Sequence, residues 1–121
     1  MEWKLSDDRP IWLQLSQQLA RRILVGAYPP GSRLPSVREL AAEAGVNPNT
    51  MQRALAELER TGLVYTQRTA GRFVTEDAAV IDSAKQELAH QQVGAFLRRM
   101  ERMGYDREQA AQLVRSWKEE A

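Results

Sequence analysis

The sequence contains no cysteine and a single histidine. The absence of cysteine excludes disulfides, iron–sulfur clusters and thiolate zinc sites, and it favours a reducing cytoplasm as the location. No apolar run approaches the roughly 18 residues that a membrane-spanning helix needs, and the polar, acidic start of the chain is unlike a secretory signal. We therefore expect a cytoplasmic protein that binds no metal and does not contact a membrane.

Groups that carry out catalysis are equally scarce. The one histidine, His90, has no cysteine partner and no second histidine at metal-binding spacing. The acidic pairs Asp7-Asp8 and Glu119-Glu120 are poor acid/base pairs, because adjacent residues do not face each other. The glycines form no phosphate-binding loop. The sequence therefore indicates a protein that is not an enzyme and needs no cofactor.

The net charge of +1 over 121 residues is low for a nucleic-acid-binding protein, but the charge is unevenly distributed. Residues 1–75 carry a balance of +3, and residues 76–121 carry a balance of −2. All five prolines and five of the seven glycines also precede residue 76. This division predicts a compact, mildly basic domain over 1–75 and a tail of long helices over 76–121.

Three helices are predicted in the first domain. Apolar residues recur every four positions over residues 10–26, which is the pattern of an amphipathic helix. A second helix over 36–44 begins with a capping box formed by Ser36 and Glu39. A third helix over 48–60 begins at an Asn-Pro pair, which supplies a good N-cap and a good first residue. The short glycine-containing turn between the last two helices is typical of a helix-turn-helix.

A β-hairpin is predicted directly after the third helix. Its strands cover 63–67 and 72–75, and the turn between them contains Gly71. A further short strand is predicted near Trp3–Leu5. The fold class is therefore mainly α with a small β-hairpin, a winged helix-turn-helix followed by C-terminal helices.

Polar residues at the start of the third helix have the chemistry that reads DNA. This part of a helix-turn-helix faces base edges in the major groove, where Asn and Gln suit adenine and Arg suits guanine. Basic residues near the second helix and on the hairpin suit phosphates and the minor groove. The residues predicted on these grounds to bind DNA are Arg33, Ser36, Arg38, Asn47, Asn49, Thr50, Gln52, Arg53, Arg68 and Arg72.

Several of these residues have a structural alternative. Ser36 and Asn47 are alternatively helix caps. Gln52 and Arg53 are alternatively ordinary solvated helix residues, and Arg38 is alternatively a member of a surface ion pair. Arg68 and Arg72 alternatively protect the edge of the hairpin from unwanted pairing by their charge.

The apolar pattern of the tail predicts a partner chain. A helix over about 76–103 has one apolar stripe, and a final helix starts near Asp106. A helix this long cannot bury its stripe against itself, and a second copy of the chain is the natural cover. We expect a homodimer interface formed by Ile81, Leu88, Phe96, Met100, Leu113, Val114 and Trp117.

The run PGSRLPSVRELAAEAGVNPNTMQRALAELERTGLVYTQRTAGRFV, at 30–74, closely resembles the DNA-binding domain of the GntR family of bacterial transcription regulators. The long helix followed by GYDREQAAQLV resembles the YtrA-type subfamily, in which two C-terminal helices form a homodimer. The resemblance implies DNA contacts by Arg38, by the start of the third helix and by the wing glycine, Gly71. The wing departs from the family pattern R-G-x-G-T-F-V, because Thr69 replaces a glycine and Arg72 replaces a threonine.

These features together predict a sequence-specific DNA-binding transcription regulator, expected to be a repressor, that binds a pseudo-palindromic operator as a homodimer. Its recognition helix over about 48–60 is expected in the major groove, and its wing over about 68–72, with Thr69 and Gly71 as contacts, at the minor groove. The alternative is a winged-helix protein-interaction module without specific DNA binding, which the low net charge and the altered wing leave open. The sequence does not indicate an effector.

Overall fold

The computed structural model describes residues 2–120, and within that range it contains five helices and one two-stranded antiparallel sheet. The elements in chain order are α1 (Ile11–Leu24), α2 (Val37–Ala44), α3 (Pro48–Arg60), β1 (Val64–Gln67), β2 (Gly71–Val74), α4 (Ala78–Arg102) and α5 (Arg107–Ser116). This is the winged helix-turn-helix with C-terminal helices that the sequence predicts. None of the helices in the described range is both long and apolar enough to span a membrane.

The chain divides into two compact units, one up to Ala84 and the other from Lys85 onward. The first unit contains α1 to α3, the hairpin and the beginning of α4, and the second contains the rest of α4 and all of α5. The composition changes after Thr75, just before α4 begins. The contacts between residues in the structure instead divide the chain after Ala84, inside α4. The domain boundary after Thr75 stays a prediction.

The core of the first unit lies between its three helices and the hairpin. The apolar stripes of α1 and α3 meet there, and Leu19, Met51 and Leu55 have no exposed surface. Val64 and Val74, which are paired across the hairpin, are buried on the wing side. Burial of each such side chain stabilises the fold by about 1.5–3 kcal/mol. This packing leaves the polar face of α3 turned toward solvent.

The turn between α2 and α3 follows local signals in the sequence. The Ser36 hydroxyl caps α2 by accepting a hydrogen bond from the backbone N–H of Glu39 at 3.1 Å. The exposed Glu39 carboxylate does not accept a hydrogen bond from the Ser36 backbone N–H. The predicted capping box is therefore only half formed. Gly45 ends α2 in the left-handed conformation, with a φ of 70°, as glycine readily does.

The predicted strand near Trp3–Leu5 is wrong, since the structure has no strand there. The side-chain amide of Gln18 accepts a hydrogen bond from the Lys4 N–H at 3.0 Å and donates to the Lys4 carbonyl at 2.6 Å. The buried amide of Gln14 bonds in the same two ways to Ser6, at 2.9 and 2.8 Å. Side chains of α1 therefore take the place of a neighbouring strand for the backbone groups of Lys4 and Ser6.

The segment before α2 adds backbone pairing to the hairpin that the sequence analysis missed. An isolated β-bridge pairs Arg33 with Phe73, and the Val74 N–H donates to the Ser32 carbonyl at 2.9 Å. The neighbouring prolines and glycine suggested only a turn in this segment. The pairing joins the wing to the chain that leads into α2, so these two parts of the candidate site are held together.

Candidate nucleic-acid interface

The N-terminal half of α3 presents polar side chains to solvent. Asn49, Gln52 and Arg53 are exposed, and Thr50 is half-buried. The side-chain oxygen of Asn47 accepts a hydrogen bond from the Asn49 N–H at 2.7 Å, so Asn47 is the N-cap of the helix. Asn47 is therefore a helix cap, as the structural alternative predicts. The cap uses the side-chain oxygen, so the amide NH2 group is still available to a ligand.

Arg53 is held in place by an aromatic ring from another helix. Its guanidinium carbon lies 4.2 Å from the centre of the Trp12 ring of α1. Such a cation–π contact contributes about 0.5–1 kcal/mol at an exposed site. No pattern in the sequence connects Trp12 with Arg53, because only the packing of α1 against α3 brings them together. The contact restricts the side chain while leaving its charge at the surface of the recognition helix.

A groove of about 330 Å³ lies between the start of α2 and the wing, and its lining includes Arg33, Ser36, Arg38 and Gly71. Gly71 has a φ of 108°, and a Cβ atom there would lie 2.9 Å from Nε of Arg33. The backbone conformation therefore favours glycine, and the Arg33 guanidinium lies against its Cα. The structure thus brings three predicted DNA-binding arginines, Arg33, Arg38 and Arg72, and the wing glycine to one groove.

The wing has a packed stem and an exposed tip. The rings of Tyr65 and Phe73 stack across the two strands, with their centres 5.8 Å apart. Arg68 and Thr69 lie in the turn, and both are exposed. The tip therefore presents a cation away from the core of the first unit.

The arginines of residues 2–75 fall into two groups. Four lie within 4.0 Å of a carboxylate, namely Arg9, Arg22, Arg60 and Arg72. Within residues 2–120, no carboxylate comes that close to the other five, which are Arg21 and four of the predicted DNA contacts, Arg33, Arg38, Arg53 and Arg68. The surface ion pair considered for Arg38 is therefore not formed there. Arginines that are not paired with a carboxylate of their own chain keep their full charge for phosphate.

Arg72 differs from the other predicted DNA contacts because the protein itself holds its guanidinium. Its Nε donates to Oε1 of Glu59 at 2.7 Å, and the Thr66 hydroxyl donates to the same oxygen. Partial burial alone would raise the pKa of Glu59, but the hydrogen bonds from Thr66 and Arg72 outweigh it and hold that pKa below its usual range. These contacts link the wing to the end of α3.

The low pKa of Glu59 predicts a pH-dependent stability. Because the pKa is lower in the folded than in the unfolded chain, the contribution is fully present above the usual Glu range and is lost as pH falls from about 5 to about 3. Urea unfolding of the wild type and of Glu59→Gln across this range checks the prediction. The wild type should be the more stable at neutral pH, and the difference should shrink in acid. A difference that stays constant with pH would contradict it.

The residues predicted at a dimer interface lie on α4 and at the end of the chain. Ile81, Leu88, Phe96 and Met100 are half-buried, and α4 contains no buried residue. Leu113 and Val114 are exposed on α5.

The placement of Trp117 on the face of the final helix is wrong. The helix ends at Ser116, and Trp117 is extended and 71% exposed. The Trp117 N–H donates to the Val114 carbonyl at 3.4 Å, a three-residue spacing that closes the last turn tightly. The side chain of Trp117 therefore does not continue the apolar face of α5.

Comparison with known proteins identifies relatives of this chain. A family model described as "Bacterial regulatory proteins, gntR family" matches residues 12–74. The chain is 35% identical to the uncharacterized HTH-type transcriptional regulator YhcF of Bacillus subtilis (strain 168), over 98% of each chain. It is 46% identical to the HTH-type transcriptional repressor YtrA of the same organism, over 57% of this chain and 53% of that one.

Solved structures of two other proteins are similar to the structure of this chain. A GntR family transcriptional regulator from Listeria monocytogenes matches with a TM-score of 0.83 and 37% identity, over 94% of this chain and 100% of that one. The AraR DNA-binding domain, in a crystal structure with operator ORX1, matches with a TM-score of 0.54 and 28% identity. That match covers 62% of this chain and 92% of the AraR chain.

A winged helix-turn-helix with a polar recognition face and unpaired arginines around it defines a DNA-binding transcription regulator. The chain belongs to the GntR family, and the resemblance to that family and to YtrA is confirmed. Proteins of this family are DNA-binding regulators and not enzymes, which confirms the prediction of a non-enzymatic protein. The membership also favours DNA binding over a module that binds only proteins.

Proposed function

We propose that the protein is a transcriptional repressor that binds a pseudo-palindromic operator as a homodimer. In this arrangement two copies of α3 lie in the major groove about 34 Å apart, and each wing reaches an adjacent minor groove. The observation that carries the proposal is the set of arginines without a carboxylate partner that surrounds α3, namely Arg33, Arg38, Arg53 and Arg68.

The side chains divide by chemistry into base readers and phosphate ligands. Asn49 and Gln52 are proposed to read base edges, because an exposed amide pairs bidentately with adenine. Arg53, restricted by its contact with the Trp12 ring, is proposed to bind guanine or a flanking phosphate. The half-buried Thr50 suits a contact to the backbone or to a thymine methyl group.

The start of α2 is proposed to position the protein on the DNA backbone. Arg33 and Arg38 supply cations at the groove, and the first backbone N–H groups of a helix bind phosphate well. The Ser36 hydroxyl accepts the bond from Glu39 but keeps its own proton, which a phosphate oxygen can accept. The wing contributes Arg68, Thr69 and the backbone at Gly71, against which the Arg33 guanidinium lies.

The proposed homodimer is supported by the apolar surface of the second unit. Leu113 is 44% exposed and Val114 is 60% exposed, and the stripe of α4, including Leu88 and Phe96, is only half-buried. A second copy of the chain covers the same patch on both protomers, as a two-fold axis requires. Repression, rather than activation, is inferred from the name of the relative YtrA.

Selection of duplexes from a randomised library by the purified full chain tests this function. We expect an enriched inverted repeat whose half-sites are about one helical turn apart, bound by two protomers with a Kd of about 10⁻⁸ M or tighter. A reporter gene with this site in its promoter should lose expression when the protein is present. A pool without a shared motif would contradict specific binding, and a motif without symmetry would contradict the dimer.

A further inference from the structure

We propose that Arg72 is a positioning residue, which fixes the wing against the recognition helix and does not itself contact DNA. The inference rests on the proposed DNA-binding function, because it concerns how the wing of that site is held. The sequence predicts Arg72 as a DNA contact. A DNA contact and a positioning residue give opposite expectations for the DNA affinity of a Glu59 variant, so an experiment can separate them.

The contacts form a clamp between three segments of the first unit. Glu59 lies in the last turn of α3, and its Oε1 receives hydrogen bonds from Thr66 on β1 and Arg72 on β2. Thr66 and Arg72 are partners in the register of the hairpin. One carboxylate oxygen therefore holds both strands of the wing at the same level.

The burial of the pair favours a structural contact over a ligand contact. The Arg72 side chain is 19% exposed and that of Glu59 is 33% exposed, whereas Arg33, Arg38 and Arg68 are exposed residues. The Arg72 charge is already matched by a carboxylate at 2.7 Å. Nε of Arg72 donates to Glu59, so a phosphate that binds the remaining N–H groups would share a cation whose charge this carboxylate already balances.

Positioning matters here because the recognition helix and the wing must meet DNA together. The hairpin is joined to α3 by a short connection, and its tip carries Arg68. Binding sites require their contacting groups to be held closely in the productive arrangement before the ligand arrives. Loss of the clamp is therefore expected to weaken DNA binding although no contact to DNA is removed.

Titration of the full chain with a duplex that the wild type selects from a random library separates the two roles. If Arg72 positions the wing, Glu59→Gln weakens the affinity by about fivefold. If Arg72 were a DNA contact that its ion pair with Glu59 weakens, the same substitution would strengthen binding. It would free the Arg72 guanidinium and remove a negative charge near the DNA. The sign of the change decides between them.

The chain offers a matched control for the lost charge. Glu57 lies on the same helix and pairs with Arg60 within that helix, and among the described residues its side chain makes no hydrogen bond or ion pair to the wing. Glu57→Gln removes the same charge and breaks the same type of ion pair, but it is expected to leave the affinity unchanged or slightly higher.

Arg72→Ala completes the test. It should weaken binding at least as much as Glu59→Gln, because the amide oxygen of glutamine still accepts hydrogen bonds and that substitution removes only the charge. The double variant should be no weaker than Arg72→Ala, since both substitutions act on one clamp. The slope of log affinity against log salt should stay at the wild-type value, whereas a lost phosphate contact would reduce it by about 0.9 per protomer. Circular dichroism melting establishes that each variant is folded, and Arg72→Gln replaces Arg72→Ala if the latter is not.

Stronger binding by Glu59→Gln, or a reduced salt slope for Arg72→Ala, would overturn the positioning role. If the wild type selected no duplex, the proposed function would fail, and the DNA role of Arg72 with it. The coupling between Glu59 and Arg72 would still be measurable in that case from the unfolding free energies of the two single variants and the double variant. The two failures are therefore distinguishable.

Discussion

Replacing Arg38 by alanine should remove most of the specific DNA affinity while the chain stays folded. Arg38 is exposed in the first turn of α2, lines the groove with Arg33 and Gly71, and has no carboxylate partner within residues 2–120. A lost arginine contact costs at least about 1 kcal/mol. Two copies in a dimer therefore weaken the affinity about 30-fold, measured by fluorescence anisotropy with the selected duplex at fixed salt.

The matched control for this variant is Arg21→Ala. Arg21 is exposed on α1, also lacks a carboxylate partner among the described residues, and does not line the groove. Its removal lowers the net charge equally, and the affinity should change little. For Arg38→Ala, the slope of log affinity against log salt concentration should become shallower by about 1.8 per dimer, because two phosphate contacts are lost. Equal losses for the two variants would mean that overall charge, and not Arg38, determines binding.

Replacing both Leu88 and Phe96 by aspartate should convert the protein to monomers. Both side chains are half-buried on the apolar stripe of α4, and neither belongs to the buried core. Four charges brought together at a two-fold interface oppose association, because each loses water without gaining a partner. A monomer reaches only one half-site, so the affinity for the full operator should fall about 100-fold or more. Sedimentation equilibrium and duplex titration measure the two effects.

The control places the same charges on the other side of the same helix. Ser83 and His90 are exposed, and at about 100° per residue they lie on the side of the helix away from Leu88 and Phe96. The double variant Ser83→Asp and His90→Asp should stay dimeric and keep its affinity. If the Leu88 and Phe96 variant remained dimeric as well, the proposed interface would be on the wrong surface.

Much of the DNA-binding fold could be predicted because its signals are local. The recognition helix observed at Pro48–Arg60 has the predicted bounds of 48–60. Asn47 and Pro48 define its beginning, and the spacing of Met51 and Leu55 defines its buried face. Caps, turns and helical periodicity act between residues a few positions apart, so they can be recognised without knowing the rest of the chain.

The predictions that failed depended on partners distant in the chain. The segment near Trp3–Leu5 has the composition of a strand, but Gln14 and Gln18 of α1 take up its backbone groups. The backbone pairing of Arg33 with the wing was missed for the same reason. A sequence pattern indicates which backbone groups need partners, but it does not indicate which distant side chain supplies them.

The sequence by itself determined the class of fold, the bounds of the proposed recognition helix and the family to which the chain belongs. Only the tertiary structure decided which arginines are available. It placed Arg53 on Trp12, joined Arg72 to Glu59, and left Arg38 without an ion pair in the described part of the chain. The physical reason is that an arginine carries the same charge at every position, and its use depends on which side chains folding brings within a few ångströms.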